Sequence, residues 1–196
     1  MSEATETITG MTNHDELLAL VAAHARTLSR ALPAVARSED ATAAEQLVGF
    51  ELPVLLRRLY TEVANGGFGP DYHLFPLTGD GRTAVAAYRN EYGSDQDGVR
   101  PSRHWPRGVL PVLDWGCAMY AAVDCLRPGA PVLLFEPNAG PQDWADAWFE
   151  DSPSLAAWLQ AWISGTGWWE EDVMLADDAT EPRPWPDAAR RIAGHP

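Results

Sequence analysis

The chain predicts an α+β fold: helices packed on a mixed or antiparallel sheet, with an extra N-terminal helix and an acidic C-terminal tail. Three observations carry this. Apolar residues recur at helical spacing over 14–32, 53–64 and 153–164. Three short runs at 109–113, 118–123 and 131–136 have strand length and composition, with hairpin-sized gaps between them. The order is helices, then strands, then a helix, which suits α+β better than an alternating parallel sheet. With 196 residues, 46 % hydrophobic and 9 Trp, the chain holds enough apolar material for a real core.

The first helix carries Leu17, Leu18, Val21, Ala25, Leu28 and Leu32 on one stripe, with Asn13 and Glu16 placed as a capping box. Pro33 and the polar stretch 37–42 end it, and that stretch reads as a loop or boundary. Pro53 suits the first turn of the second helix, whose stripe is Leu52, Leu55, Leu56, Leu59, Tyr60 and Val63. Asn65-Gly66-Gly67 stops that helix through a left-handed residue. A strand is expected at 72–76, then a turn at Gly79-Asp80-Gly81. Thr83 caps a helix carrying Val85, Tyr88 and Tyr92. Residues 93–107 read as a loop. The three strands follow, with Pro128-Gly129-Ala130 turning between the last two. Trp144, Asp146 and Trp148 fit either a strand or a helix. Ser152-Pro153 opens the closing helix, with Leu155, Trp158, Leu159, Trp162 and Ile163 on one face, and Gly165 ends it.

The net charge is −14, from 28 acids against 14 basic residues, all of them Arg. Each third of the chain is acidic in balance, so no basic footprint for nucleic acid is visible. A basic protein partner fits the charge. No apolar run reaches the ~20 residues of a membrane span. The polar start, residues 1–12, lacks a signal-peptide pattern, so a cytoplasmic location is expected. Cys117 and Cys125 are then expected reduced and buried.

Chemical motifs fall short. Asn65-Gly66-Gly67-x-Gly69-Pro70 follows a helix instead of opening one, and no Lys follows, so it reads as a cap and turn and not a phosphate loop. Asp95-Gln96-Asp97-Gly98 lacks the flanking acids of a calcium loop, where Gly93 and His104 stand. Cys117, Cys125, His73 and His104 share no metal-site spacing. Ser102 and His104 have no orienting carboxylate, and no G-x-S-x-G occurs. No catalytic residue, metal or cofactor is expected.

Gly49-Phe50-Glu51-Leu52-Pro53, with its helix running to Asn65-Gly66-Gly67-Phe68-Gly69-Pro70, resembles the SUKH superfamily. This is the group of yeast cell-wall-assembly regulators and many bacterial toxin-immunity proteins. Val112-Leu113-Asp114-Trp115-Gly116-Cys117 is similar to the family's strand ending in Trp-Gly. Pro131-Val132 followed by Ser154-Leu155-Ala156-Ala157-Trp158-Leu159 is similar to its late strand and closing helix. The resemblance implies a sheet with helices and no catalytic constellation. It divides the chain into an N-terminal helical extension (1–43), a core (44–165) and an acidic Trp/Pro-rich tail (166–196). It also implies protein binding: neutralisation of a toxin, often a nuclease, or a regulatory scaffold role.

Two aromatic sites beside acids are candidates for the partner surface: Asp114 with Trp115, and Trp168-Trp169 with Glu170, Glu171 and Asp172. The rival for the second is docking of the tail on its own domain. Pro53, Asn65, Gly66, Gly67, Gly69, Pro70 and Gly116 read as structural positions.

Overall fold

A computed structural model describes residues 2–29, 31–93, 104–138, 140–174 and 183–194. Among these, four helices precede the sheet: α1 (Ser2–Leu28), α2 (Ser38–Val48), α3 (Val54–Arg58) and α4 (Ala84–Tyr92). A π-helical turn, Leu59–Val63, extends α3. Five strands follow: β1 (Val109–Gly116), β2 (Met119–Asp124), β3 (Val132–Phe135), β4 (Trp148–Ser152) and β5 (Arg183–Pro184). Helix α5 (Leu155–Ser164) and the short α6 (Glu171–Met174) lie between β4 and β5, and α7 (Ala188–Ile192) follows β5. The strands form one antiparallel meander in the order β1-β2-β3-β4-β5, so the α+β expectation holds.

The sequence patterns explain most of these elements. Thr83 caps α4 by accepting from Ala86 N at 3.0 Å. Ser154 caps α5 by accepting from Ala157 N at 3.1 Å, and Gly165 ends that helix in the left-handed region at φ +64°. The α5 stripe buries Leu155, Trp158, Leu159 and Trp162. Helix α1 packs on it, with the His24 ring edge-on to Trp162 at 4.7 Å.

Three expectations are corrected. Helix α1 begins well before Asn13, which therefore lies inside it and is no N-cap. No Pro interrupts residues 2–28, so nothing forces a start at 13. The stretch 37–42 is not a loop, because α2 starts at Ser38. Its buried residues are Ala41, Ala44 and Val48, too small for a conspicuous stripe, and Glu39 and Asp40 complement the helix dipole in its first turn. Residues 72–76 form no strand. They fold back on the preceding loop, with Gly67 N donating to Leu74 O (2.9 Å) and Leu74 N donating to Phe68 O (2.7 Å). Residue 75 reaches β1 with one bond, Phe75 N to Val112 O at 2.8 Å.

Two further expectations change. Cys117 is exposed on the β1–β2 turn and not buried. The helical run ends at Val63 in an extended Ala64 (φ −168°), so Asn65-Gly66-Gly67 does not cap it, and the fold-back gives that motif its work. The Asn65 carboxamide accepts from Leu77 N at 2.8 Å and donates to Thr78 O at 2.9 Å. A Cβ on Gly66 would run into the Phe75 carbonyl, so only glycine lets the two segments meet. Pro53 directly precedes α3. The ambiguous 144–148 segment contains both forms, a 3-10 turn (Trp144–Ala147) followed by β4. The Asp95–Gly98 stretch lies outside the described residues.

The register sorts side chains onto two faces. Tyr120, Phe135 and Trp148 sit across from one another on one face, and Trp105 packs on all three at 4.8–5.5 Å. The C-terminal segment seals the same face. Trp185 packs on Trp148 (5.9 Å), and Arg191 makes a bidentate pair with Asp124 at 2.7 and 2.9 Å. Both partners of that pair are buried, Arg191 at 5 % exposure and Asp124 at 0 %. Residues 166–174 and 183–194 thus supply core contacts as well as surface, while the division of the chain into extension, core and tail stays a proposal.

Candidate functional site

The two aromatic candidates of the sequence converge. Trp115 lies 5.1 Å from Trp168 and 5.5 Å from Trp169, ring centre to ring centre. Trp169 continues to Trp158 at 5.2 Å, and Tyr72 meets Trp115 edge-on at 6.0 Å. The result is a seam of aromatic rings. It starts at Tyr72, 62 % exposed, and runs inward to Trp169, only 8 % exposed. Trp115 and Trp168 are half-buried between them. The sequence reading leaves the Trp168-Trp169 pair either to meet a partner or to dock on its own domain. Trp169 turns inward, its N–H donating to Glu170 Oε1 at 3.0 Å, and Gly167 makes room for its ring. Glu171 and Asp172 stay exposed at the start of α6.

A β-bulge aims Trp115. Asp114 pairs with Tyr120 and Gly116 with Met119, which leaves Trp115 without a partner across the ladder. An extra residue of this kind bends its strand and redirects its side chain. The turn beyond is a two-residue hairpin, Cys117-Ala118, with φ of +50° and +63°. Such turns favour Asn and Gly, so Cys-Ala holds this shape under strain. Asn138 helps by donating to Cys117 O at 2.8 Å, and Gly116 N donates to Asp114 Oδ1 at 2.7 Å. Asp114 also pairs with Arg82. Arg82 donates to Tyr120 OH (2.7 Å), which donates to Glu91 Oε1 (3.1 Å), and Glu91 Oε2 meets His104 Nε2 at 3.1 Å. The His104 bond holds the Glu91 carboxyl below its ordinary range.

A second bulge aims Asp151. Val132 pairs with Ser152 and Leu133 with Glu150, so Asp151 is the extra residue of β4. Its Oδ2 accepts from Trp158 Nε1 at 3.1 Å. The Trp168 indole N–H points at the same carboxylate without reaching hydrogen-bond geometry. Burial pushes the Asp151 carboxyl up to about 6, partly opposed by these indole donors and by Ser152. Asp151 opens on a cleft of about 710 Å³ that Leu133, Glu150, Trp168, Arg183 and Trp185 also line. The sequence offers no signal for Asp151, since one acid between Glu150 and Ser152 looks like any strand-end charge.

Every element of this site except its C-terminal Trp and Arg residues falls within one match. The sequence model of the SMI1 / KNR4 family (SUKH-1) matches residues 36–161. The chain belongs to the SUKH superfamily. No curated protein matches the chain. In this SUKH protein the shared region supplies Tyr72, Asp114, Trp115, Asp151 and Trp158. Residues outside the match supply Trp168, Trp169, Arg183 and Trp185. The seam is therefore built jointly by the matched region and by a segment that follows it.

Proposed function

We propose that this SUKH protein is a non-catalytic immunity protein of the cytoplasm, which neutralises a basic bacterial toxin by binding it directly. The observation that carries the reading is the joint seam of Tyr72, Trp115 and Trp168 beside Asp151. Half-buried aromatic rings are enriched at the centres of interfaces, and a carboxylate beside them suits a basic partner. Part of the seam lies outside the family match. The net charge of −14 supports a basic partner, a nuclease among them. The polar groups at the seam support binding over catalysis. Asp151 accepts from the Trp158 indole N–H, a contact that takes no proton from a nucleophile. Among the described residues no helix is long and apolar enough to cross a membrane.

The test is co-expression with a candidate basic toxin, sought first among the neighbouring genes. The expected result is rescue of growth and a stoichiometric complex whose association slows as salt rises, because exposed charges are screened over about 10 Å at 0.1 M. Failure to rescue, together with stable capture of a housekeeping protein, would instead support a regulatory scaffold role.

A further inference from the structure

The chain treats two of its carboxylates differently. Asp124 is fully buried and matched by a bidentate arginine, Arg191. Asp151 is half-buried, and among the described residues no cation pairs with it. Arg127, also on the cleft, pairs with Asp187 at 2.6 Å, and Glu150 stands opposite Arg183 in the β4–β5 register. Asp151 thus opens without an ion-pair partner on a cleft that the indoles of Trp168 and Trp185 line.

A carboxylate at the base of an indole-walled cleft has one well-matched ligand chemistry. A guanidinium is planar, weakly hydrated and permanently charged. It stacks on indole faces and forks onto a carboxylate, which a compact, strongly hydrated ammonium does less well. The β4 bulge that redirects Asp151 is the kind of irregularity proteins place beside working sites. We propose that this cleft receives an arginine side chain of the protein partner, its guanidinium paired with Asp151 and stacked on Trp168. The proposal rests on the protein-binding reading above and names where that partner's charge is recognised. It also accounts for the lone carboxylate: a group that is costly to bury unpaired gains its counter-charge on binding.

N-acetyl-arginine amide is the probe, with N-acetyl-citrulline amide as its neutral isostere. The indole N–H signals of Trp158 and Trp168 report binding in nitrogen-resolved NMR titrations of the full chain. The arginine probe should shift both signals saturably, and the citrulline probe should bind about tenfold more weakly or worse, since a charged hydrogen bond is absent. Asp151→Asn should remove that preference. Trp168→Leu should weaken the arginine probe while leaving the Trp158 resonance in place, which shows that the fold persists. Equal binding of the two probes, as an apolar pocket would give, overturns the proposal. So does an unchanged preference in Asp151→Asn. Saturable arginine binding by a protein that forms no partner complex would sink the protein-binding reading and leave the cleft assignment standing. A partner complex unaffected by Asp151→Asn would do the reverse.

Discussion

Replacing Asp151 by Asn should make the free protein more stable at neutral pH. The folded carboxyl is raised from 3.8 to about 6, so the folded state keeps a proton that the unfolded chain has released between those values. Its contribution to stability is full below about pH 4 and falls as pH rises to 6, because there the unfolded state binds fewer protons. At 1.36 kcal/mol per pK unit, the ionised carboxylate costs about 3 kcal/mol above pH 6. Relaxation and partial solvent access bring this nearer 2 kcal/mol. Asparagine keeps an oxygen for the Trp158 N–H and removes the charge. Urea unfolding of both proteins from pH 5 to 7.5 measures the effect and stays clear of the isoelectric point near 4.6. Roughly 1.4 kcal/mol of the full shift lies between pH 5 and 7. Subtracting the two curves cancels the titration of the other acids, Glu150 and Asp187 among them. The variant's advantage should grow across that interval. A difference that stays constant with pH would refute the argument.

Three further outcomes follow from the packing. Arg191→Met should lower stability by about 3–5 kcal/mol in the same unfolding assay, because Asp124 is left charged and buried without a partner. Replacing both members together, Asp124→Leu with Arg191→Met, should restore much of that loss. Gly167→Ala should push the Trp169 ring off Trp158 and cost about 1–3 kcal/mol, visible as altered near-ultraviolet dichroism of the indoles. A thiol reagent at pH 8 should label exposed Cys117 quickly and spare Cys125, whose thiol burial pushes well up. Equal labelling of both in the native protein would contradict that placement.

Elements with large apolar residues at regular spacing were legible in the sequence. Helix α5 is written in Leu155, Trp158, Leu159 and Trp162, and strands β1 and β3 in runs of Val and Leu. Helix α2 was not, because Ala41 and Ala44 bury a face without marking it. Residues 72–76 looked like a strand because Tyr72, Leu74 and Phe75 crowd there. Their real partners are backbone groups of 67–68, a match that depends on Gly66 and cannot be seen in local composition. For the site, Trp115 and Trp168 were visible as aromatic residues beside acids. Their meeting was not, since it depends on a bulge in β1 and on the path of the chain after Gly165. Asp151 was invisible for the same reason: its environment is made by two indoles, 7 and 17 residues further along the chain.

The pairing of Arg191 with Asp124 spans 67 residues and joins the last helix to the middle of the sheet. Chains emerge from the ribosome N-terminus first, at about 5–20 residues per second, and domains tend to fold in that order. Here β1 to β4 can assemble early, but one sheet face stays open until Trp185 and Arg191 arrive. During that interval Asp124 has no counter-ion, and Trp105 and Trp148 lack their cover. That face is therefore completed only after residues 185–191 have been made, and the nascent protein passes through an aggregation-prone stage that long-range closure prolongs. A bulky fusion at the C-terminus should delay that closure and lower the soluble yield far more than the same fusion placed at the N-terminus.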